Sequence, residues 1–181
     1  GLAGYLSYES EINNSYARGN QSAGSYVGGL AGYCEEATIT NSYATGQASA
    51  EGGTGGLVGD DSDCTLTNSF WDTETSAQAT TNGDGTGKTT SEMKNITTST
   101  HTDPERLDES WDFSAVWGIN SSLNDGYPCL RWQDEECTTP EIDDEDGISP
   151  ETENSSPNSG DANNDGAQDS EQSHVSSFLN P

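Results

Sequence analysis

One sequence pattern occurs three times near the start of the chain, and this repetition constrains the fold more than any other feature. The copies read GLAGYLSYESEINNSYARG from residue 1, GLAGYCEEATITNSYATG from residue 29 and GLVGDDSDCTLTNSFWD from residue 56. Equivalent residues are 27 positions apart, except that the first copy carries one extra residue before its isoleucine. A fixed period of this length indicates a solenoid, in which each unit stacks on the next.

The residue types of the repeat favour short strands over helices. Each copy is rich in Gly, Ser, Thr, Asn and Tyr, and none has a run of strong helix formers. Residues 38–40 and 65–67 read Thr-Ile-Thr and Thr-Leu-Thr, an alternation typical of a strand with one buried face. We therefore predict an all-β protein built on a short parallel β-solenoid, or β-helix, of about three coils.

In such a stack, equivalent side chains form rows. We expect buried rows from the isoleucine or leucine of each copy (Ile12, Ile39, Leu66), from the leucine after its first glycine, and from its aromatic residue. The asparagines lie where the strand must turn, and their amides can bond along the stack as in cross-β ladders. Corner glycines suit backbone positions that a side chain would block. The repeat residues expected to determine this structure are Gly29, Leu30, Gly32, Ile39, Asn41, Tyr43, Gly56, Leu57, Gly59, Leu66, Asn68 and Phe70.

Composition divides the chain into three segments. Residues 1–75 hold the repeats, and we expect the stack to end where the third copy runs into Trp71 and Asp72. Residues 76–133 are expected to form a loop followed by an aromatic module. Residues 134–181 are acidic, contain Ser, Pro and Gly but no Lys or Arg, and are predicted to be a largely disordered linker.

The middle segment carries most of the remaining large apolar residues. Its first part is rich in Gly and Thr, with one helical turn expected near residues 91–94 and Thr90 or Ser91 as its cap. We expect the second part to cover the open end of the stack, although exposed aromatic rings could instead stack on sugars. The residues expected in this aromatic cap are Trp111, Phe113, Val116, Trp117, Ile119, Tyr127, Leu130 and Trp132.

The repeats resemble a known family. The strings GGLAGY…ITNSYATG and GGLVG…LTNSFWD are similar to the GLUG repeat of large bacterial surface and adhesin-like proteins. The resemblance covers residues 1–75 and implies a β-solenoid in a secreted or cell-surface protein. The segment GKTT-x-EMK…WDF…VWGI…YP-x-LRW also resembles the element that follows such arrays. In that element a tyrosine stands where this chain has Cys129.

The charge of the chain restricts its partners. Thirty-two Asp and Glu residues oppose five Lys and Arg residues, which gives a net charge of -27. Nucleic acid and anionic membrane surfaces both require a cationic face, so we expect neither as a partner. The sequence has no transmembrane run, so we expect no direct membrane insertion. Hydrophobic residues make up 28% of the chain, too few for a large core, and we expect the remainder of a longer polypeptide to accompany it.

Four cysteines allow three complete pairings. Cys129 and Cys137 flank a short stretch and could close it. Cys34 and Cys64 lie in adjacent copies but at different offsets, so their loops would have to bend to meet. Both bridges require an oxidising location, and four free thiols are the alternative.

The acidic segment contains the spacing of a calcium loop. Asp161, Asn163, Asp165 and Asp169 place oxygens at loop positions 1, 3, 5 and 9, and the Ala167 carbonyl is available at position 7. Position 12, normally a bidentate carboxylate, is Gln172, so we predict a weak Ca²⁺ site; a solvated acidic spacer is the alternative.

A poorer half-site for Ca²⁺ contains Asp144 and Asp146. The segment GDANNDGAQDSEQSHVSSFLNP also resembles the start of a Ca²⁺-rich lead-in to a surface-anchoring β-domain of bacterial proteins. That resemblance implies attachment to a cell surface.

These features favour a non-catalytic role. The repeats contain a single cation, Arg18, and no recurring carboxylate pair, so we assign no catalytic residue. We expect an adhesive segment at the bacterial cell surface or outside the cell, with an extracellular glycan or protein surface as its partner. A polysaccharide-binding or polysaccharide-degrading β-helix is the main alternative. An ice-binding solenoid, suggested by the outward threonines of residues 38–40 and 65–67, is a remote one.

Overall fold

The computed structural model describes residues 1–94 and 110–138. The chain divides into two units, Gly1–Thr139 and Pro140–Pro181, and the second lies outside the described residues. The first unit therefore extends beyond the expected boundary at residue 133, because Cys137 is bonded to Cys129. The helical elements of the described residues include α1 (Thr90–Lys94) and a 3₁₀ turn at Asn124–Gly126.

The described strands are short, as expected for chains that turn at every corner of a repeat. They are β1 Ala3–Ser7, β2 Glu11–Asn13, β3 Tyr16–Ala17, β4 Gln21–Ala23, β5 Val27–Gly28, β6 Ala31–Glu35, β7 Thr38–Thr40, β8 Tyr43–Ala44, β9 Ala48–Ala50, β10 Thr54–Gly55, β11 Val58–Ser62, β12 Thr65–Thr67, β13 Phe70–Asp72, β14 Thr86–Lys88, β15 Trp117–Gly118 and β16 Cys129–Leu130.

Strands of successive repeats pair in parallel. The sheets run β1-β6-β11, β2-β7-β12, β3-β8-β13-β14, β4-β9 and β5-β10, and each is open at both edges. Partners between repeats are equivalent residues, such as Ile12 with Ile39 and Ile39 with Leu66. The antiparallel exception joins β15 to β16. The predicted all-β class and parallel pairing are confirmed.

One hydrophobic cluster, here called the inner cluster, is formed by side chains from the sheets that contain β1, β2 and β3 and from the segments next to them. Its members are Leu6, Ile12, Ala17, Leu30, Ala31, Cys34, Ala37, Ile39, Ala44, Leu57, Val58, Leu66 and Trp71. The expected isoleucine and leucine row is therefore buried. The second leucine row is incomplete, since Leu30 and Leu57 are buried but Leu2 is 50% exposed at the edge next to β1.

The array does not stop at Trp71 and Asp72, as the sequence led us to expect. β14 adds a further strand to β13, with Phe70 opposite Thr86. The preceding loop covers the third repeat: the Thr81 hydroxyl oxygen accepts bonds from the backbone N–H groups of Leu57 and Val58 at 3.1 and 2.9 Å. The loop predicted from residue 76, with its one helical turn, therefore also contains a strand, and its Thr81 bonds to the third repeat.

The helical turn α1 is present, but its cap is Thr89 instead of Thr90 or Ser91. The Thr89 hydroxyl accepts a bond from the Glu92 N–H at 3.2 Å, and the Glu92 carboxylate accepts one from the Thr89 N–H at 2.7 Å. This reciprocal pair is a capping box, which satisfies two backbone groups at once. The sequence Thr-x-x-Glu at residues 89–92 carries the signal.

The aromatic module lies along the side of the repeats and not over their end. It forms a second cluster, here called the aromatic cluster, on the outward face of the sheet that contains β3, β8 and β13. Trp117 lies 6.4 Å from Tyr16 and 5.9 Å from Tyr43, and Trp111 lies 5.5 Å from Phe70 between ring centroids. The cluster comprises Tyr43, Phe70, Met93, Trp111, Phe113, Trp117, Tyr127 and Leu130.

The aromatic row of the repeats thus faces outward. Tyr16 and Tyr43 stack with centroids 5.2 Å apart, while Ala44, next to Tyr43, points into the inner cluster. A strand alternates its side chains between two faces, so one sheet supports both clusters. Of the expected cap residues, Trp132 is the exception, at 76% exposed.

The main role of the repeat asparagines is to adopt a backbone conformation with positive φ. Asn14, Asn41 and Asn68 have φ values of 45°, 47° and 47°, in the left-handed region that Asn tolerates better than most residues. The expected amide ladder is partial: Asn68 donates to Asn41 at 3.4 Å. The side-chain amide oxygen of Asn14 (Oδ1) instead accepts a bond from the Trp117 indole N–H at 3.4 Å.

Candidate ligand-binding surface

The predicted calcium ligands lie outside the described residues. These are Asp161, Asn163, Asp165, Ala167 and Asp169, with the weaker Asp144 and Asp146. Within residues 1–94 and 110–138, no three His, Cys, Asp or Glu side chains are grouped so that they could hold a metal ion. The calcium hypothesis therefore depends on ligand spacing in the sequence.

Both cysteine pairs weighed from the sequence are bonded. Cys34 and Cys64 join β6 to the segment before β12, with Cα atoms 5.7 Å apart. Cys129 and Cys137 close a short loop at the end of the first unit. The first bridge thereby ties the second repeat to the third, and the second bridge stabilises the end of the aromatic module, without depending on the thin hydrophobic core.

A second group of aromatic side chains, three tyrosines, lies at or near strands β1 and β6. Tyr5 on β1 and Tyr33 on β6 are paired in register, and their rings stack with centroids 5.3 Å apart and planes 15° apart. Tyr26 tilts against Tyr33 at 5.8 Å and 43°. Tyr5 is 58% exposed and Tyr26 46% exposed. We call these three residues the tyrosine face.

Carboxylates border the tyrosine face. The Tyr5 hydroxyl donates a hydrogen bond to Glu35. This bond, the partial desolvation of the ring and the negative charge of Glu35 raise the pKa of Tyr5 to about 12, so the hydroxyl stays protonated at neutral pH. Asp60 is paired in register with Tyr33 on the other side of β6, and Ser62 is paired with Glu35. The surface therefore combines aromatic rings with carboxylates that can accept hydrogen bonds.

The described cations lie elsewhere. Arg18 is over the Tyr127 ring at 5.2 Å and pairs with Asp125, and Lys94 is over the same ring at 4.6 Å. Lys88 lies 5.4 Å from the Phe70 centroid, and Arg131 donates to the Phe113 carbonyl. All four contact the aromatic cluster or its backbone.

A shallow groove of about 410 Å³ adjoins Tyr26 at the edge of the first repeat. Its walls include Leu2, Asn20, Gln21 and Ser22. The amides and hydroxyls offer both donors and acceptors beside an apolar side chain. The groove therefore extends the tyrosine face with polar groups that could orient a ligand.

Sequence reasoning missed the tyrosine face because it sought aromatic ligand sites in residues 107–133. The signal was present: Tyr5 and Tyr33 each follow Gly-Leu-Ala-Gly, and Asp60 occupies the same place in the third copy. Equivalent positions in a parallel stack lie side by side, so this spacing could have predicted two adjacent tyrosines and an aspartate. Their outward direction could not be read from the local pattern.

Of the residues described, none belongs to a helix long and apolar enough to span a lipid bilayer. No solved structure and no curated protein shows significant similarity to the chain. Residues 23–49 match the model of the GLUG motif, and this segment contains most of the second copy of the repeat. The chain therefore carries a GLUG motif within a β-rich array of similar repeats.

Proposed function

We propose that the chain is a non-catalytic structural and adhesive segment of a bacterial secreted or cell-surface protein, in which the repeats form a short parallel β-solenoid. The observation that carries the proposal is the register between repeats, which sets Tyr5 beside Tyr33 and Ile39 beside Leu66. Such a stack is stiff because each strand is bonded to its neighbours, and it presents fixed rows of side chains to a partner.

The covalent and electrostatic features support a location outside the cytoplasm. Two disulfides join all four cysteines, and disulfides persist mainly in oxidising compartments. A net charge of -27 keeps a chain soluble and self-repelling in a saline exterior. The GLUG match at residues 23–49 agrees with this location, since the resembling proteins are found at bacterial surfaces.

We further infer that Ca²⁺ stiffens the acidic segment 134–181. The oxygens of Asp161, Asn163, Asp165 and Asp169 have the spacing of a calcium loop. Without the ion, repulsion between carboxylates would expand the segment, and bound Ca²⁺ would neutralise part of that charge. The segment then acts as a spacer whose stiffness depends on extracellular calcium.

The adhesive role is tested by binding the disulfide-intact chain to arrays of extracellular glycans and matrix proteins. The matched control is the same chain after reduction and alkylation, which removes both disulfides but keeps the composition. We expect saturable binding to at least one ligand by the native chain alone. Binding by neither form would contradict adhesion, and new reducing ends in a bound polysaccharide would favour the degrading alternative.

The calcium role is tested by calorimetric titration of the full chain. We expect one weak site, with a dissociation constant of about 10⁻⁴–10⁻³ M, that is lost in the Asp161→Ala/Asp165→Ala variant. The Asp144→Ala/Asp146→Ala variant removes the same charge from the half-site and is the control. Equal heats from all three proteins would reduce the segment to a solvated spacer.

A further inference from the structure

We propose that the tyrosine face binds an arginine-bearing segment of an extracellular partner protein. This inference rests on the proposed adhesive function and names the chemistry of its partner. It uses three observations that the repeat architecture by itself does not require: a ring at the edge of a stack with one unstacked face, a carboxylate bonded beside it, and the contacts of the described lysines and arginines with the aromatic cluster.

The ring of Tyr5 has one free face. Tyr5 lies on β1, an edge strand whose one partner is β6, and its inner side is stacked on Tyr33. The ring is more than half exposed. A planar guanidinium stacks on the face of an aromatic ring, so it would extend the row that Tyr33 and Tyr5 begin.

Glu35 supplies the anionic partner for the same guanidinium. Its carboxylate already accepts the Tyr5 hydroxyl bond, so it lies at the rim of that ring. A carboxylate has two oxygens and accepts several bonds, and an arginine side chain donates two parallel N–H bonds to such a group. Asp60, paired with Tyr33, provides a second carboxylate for a neighbouring cation.

The charge distribution selects against other ligands. The carboxylates of Glu35 and Asp60 repel phosphates and acidic sugars, whereas the described lysines and arginines contact the aromatic cluster. A lysine ammonium carries the right charge but has no plane to stack. A neutral sugar could also stack on the exposed ring of Tyr5, but it carries no positive charge to pair with Glu35.

The experiment titrates the isotopically labelled full chain with the capped peptide Arg-Gly-Arg and, separately, with Lys-Gly-Lys, at about 0.15 M salt to screen exposed charges. Amide shifts identify the binding site residue by residue. We expect saturable shifts in β1 and β6 around Tyr5, Tyr33 and Glu35. The lysine peptide should bind about five-fold more weakly, since it keeps the charge but loses the stacking.

Variants distinguish binding at the tyrosine face from non-specific binding of a cationic peptide to an acidic chain. Tyr5→Ala/Tyr33→Ala keeps every charge and should weaken the arginine peptide about five-fold or more. Glu35→Gln should also weaken it, whereas Tyr5→Phe keeps the ring and should retain most of the affinity. Trp132→Ala, which removes an exposed ring outside the face, is the control and should bind as the wild type does.

Three results would overturn the proposal: shifts confined to the acidic residues after 138, equal affinity for the two peptides, or wild-type affinity in the tyrosine double variant. None of these results would change the register between repeats or the binding of the native chain to the glycan and matrix-protein arrays, because those are measured separately. Failure of the arginine site is thereby distinguished from failure of the adhesive function.

Discussion

The hydroxyl of Tyr127 donates a hydrogen bond of 2.6 Å to the buried carboxylate of Asp72, and so joins the aromatic module to the last strand of the third repeat. The same carboxylate accepts bonds from the Thr90 hydroxyl at 2.7 Å and from the N–H groups of Glu74 and Thr75 at 2.9 and 3.0 Å. A single side chain therefore connects the repeats, α1 and the module.

We expect Asp72→Asn to lower the free energy of unfolding by about 2–3 kcal/mol, because an amide cannot accept all four bonds and places a donor among donors. Tyr127→Phe removes one donor and should cost about 1 kcal/mol. Urea unfolding of both variants measures the difference. Equal, small effects would show that this carboxylate does not hold the module in place.

The pH dependence of stability follows from the same site. Burial alone raises the pKa of Asp72, but the bonds from Tyr127, Thr90 and the two backbone groups outweigh it and hold the pKa below its ordinary value. The stabilisation is therefore complete above about pH 4 and is lost as the pH falls through the lower folded-state pKa. We expect wild-type stability to fall more steeply below about pH 4 than that of Asp72→Asn.

The corner glycines are required by close approach of the repeats. A Cβ atom on Gly29 would lie 2.3 Å from both the Ala44 Cβ and the Gly56 carbonyl oxygen. We expect Gly29→Ala to destabilise the protein by about 2–3 kcal/mol, since backbone must move to admit the methyl group. Gly4→Ala is the control, because a Cβ there meets nothing within 4 Å and should change stability by less than about 0.5 kcal/mol.

Substitutions at a repeat asparagine test which contributes more to stability: its left-handed backbone conformation or its side-chain hydrogen bond along the stack. Asn41 has a φ of 47°, and its amide oxygen accepts one long bond from Asn68. Asn41→Ala and Asn41→Gly both remove that bond, but alanine alone adds a steric cost in the left-handed region. We expect alanine to be less stable than glycine by about 1 kcal/mol. Equal stabilities of the two variants would indicate that Asn41 contributes through its amide bond to Asn68 and not through its backbone conformation.

The two disulfides should contribute unequally to the free energy of unfolding. Cys34 and Cys64 are separated by 30 residues, and Cys129 and Cys137 by 8. Because a longer loop loses more entropy on closure, replacing the first pair by serine should cost about 3–4 kcal/mol and the second about 2–3 kcal/mol. Chemical unfolding of the two double variants compares them. The reverse order would show that the short bridge stabilises the module through its contacts.

The periodicity of the repeat predicted the class of the fold and the parallel pairing of strands. The 27-residue spacing was sufficient, because it required Ile39 and Leu66 to be neighbours whatever the turns between them. It could not predict that Tyr43 faces outward, since two-residue strands carry no alternation to read. The hydrogen bond from the Leu57 N–H to the Thr81 hydroxyl could not be predicted either, because a single threonine in a polar loop belongs to no recognisable sequence pattern.

The serines that follow the asparagines were overlooked for a related reason. The Ser42 hydroxyl oxygen accepts a bond from the Ser15 N–H at 3.1 Å, and that of Ser69 accepts one from Ser42 at 3.4 Å. Both serines are buried, and their hydroxyls also donate to the carbonyls of Thr40 and Thr67, so each satisfies backbone groups on both sides of a turn. Recurrence of Asn-Ser in all three copies was the available signal.

The most direct test of the account is a measurement of backbone proton contacts between β7 and β12 by nuclear magnetic resonance. Parallel pairing predicts cross-peaks between residues 27 positions apart, including Thr38 with Thr65 and Ile39 with Leu66. Cross-peaks that instead join β7 to β8 within one repeat, as in an antiparallel hairpin, would contradict the stacked arrangement and the proposed solenoid with it.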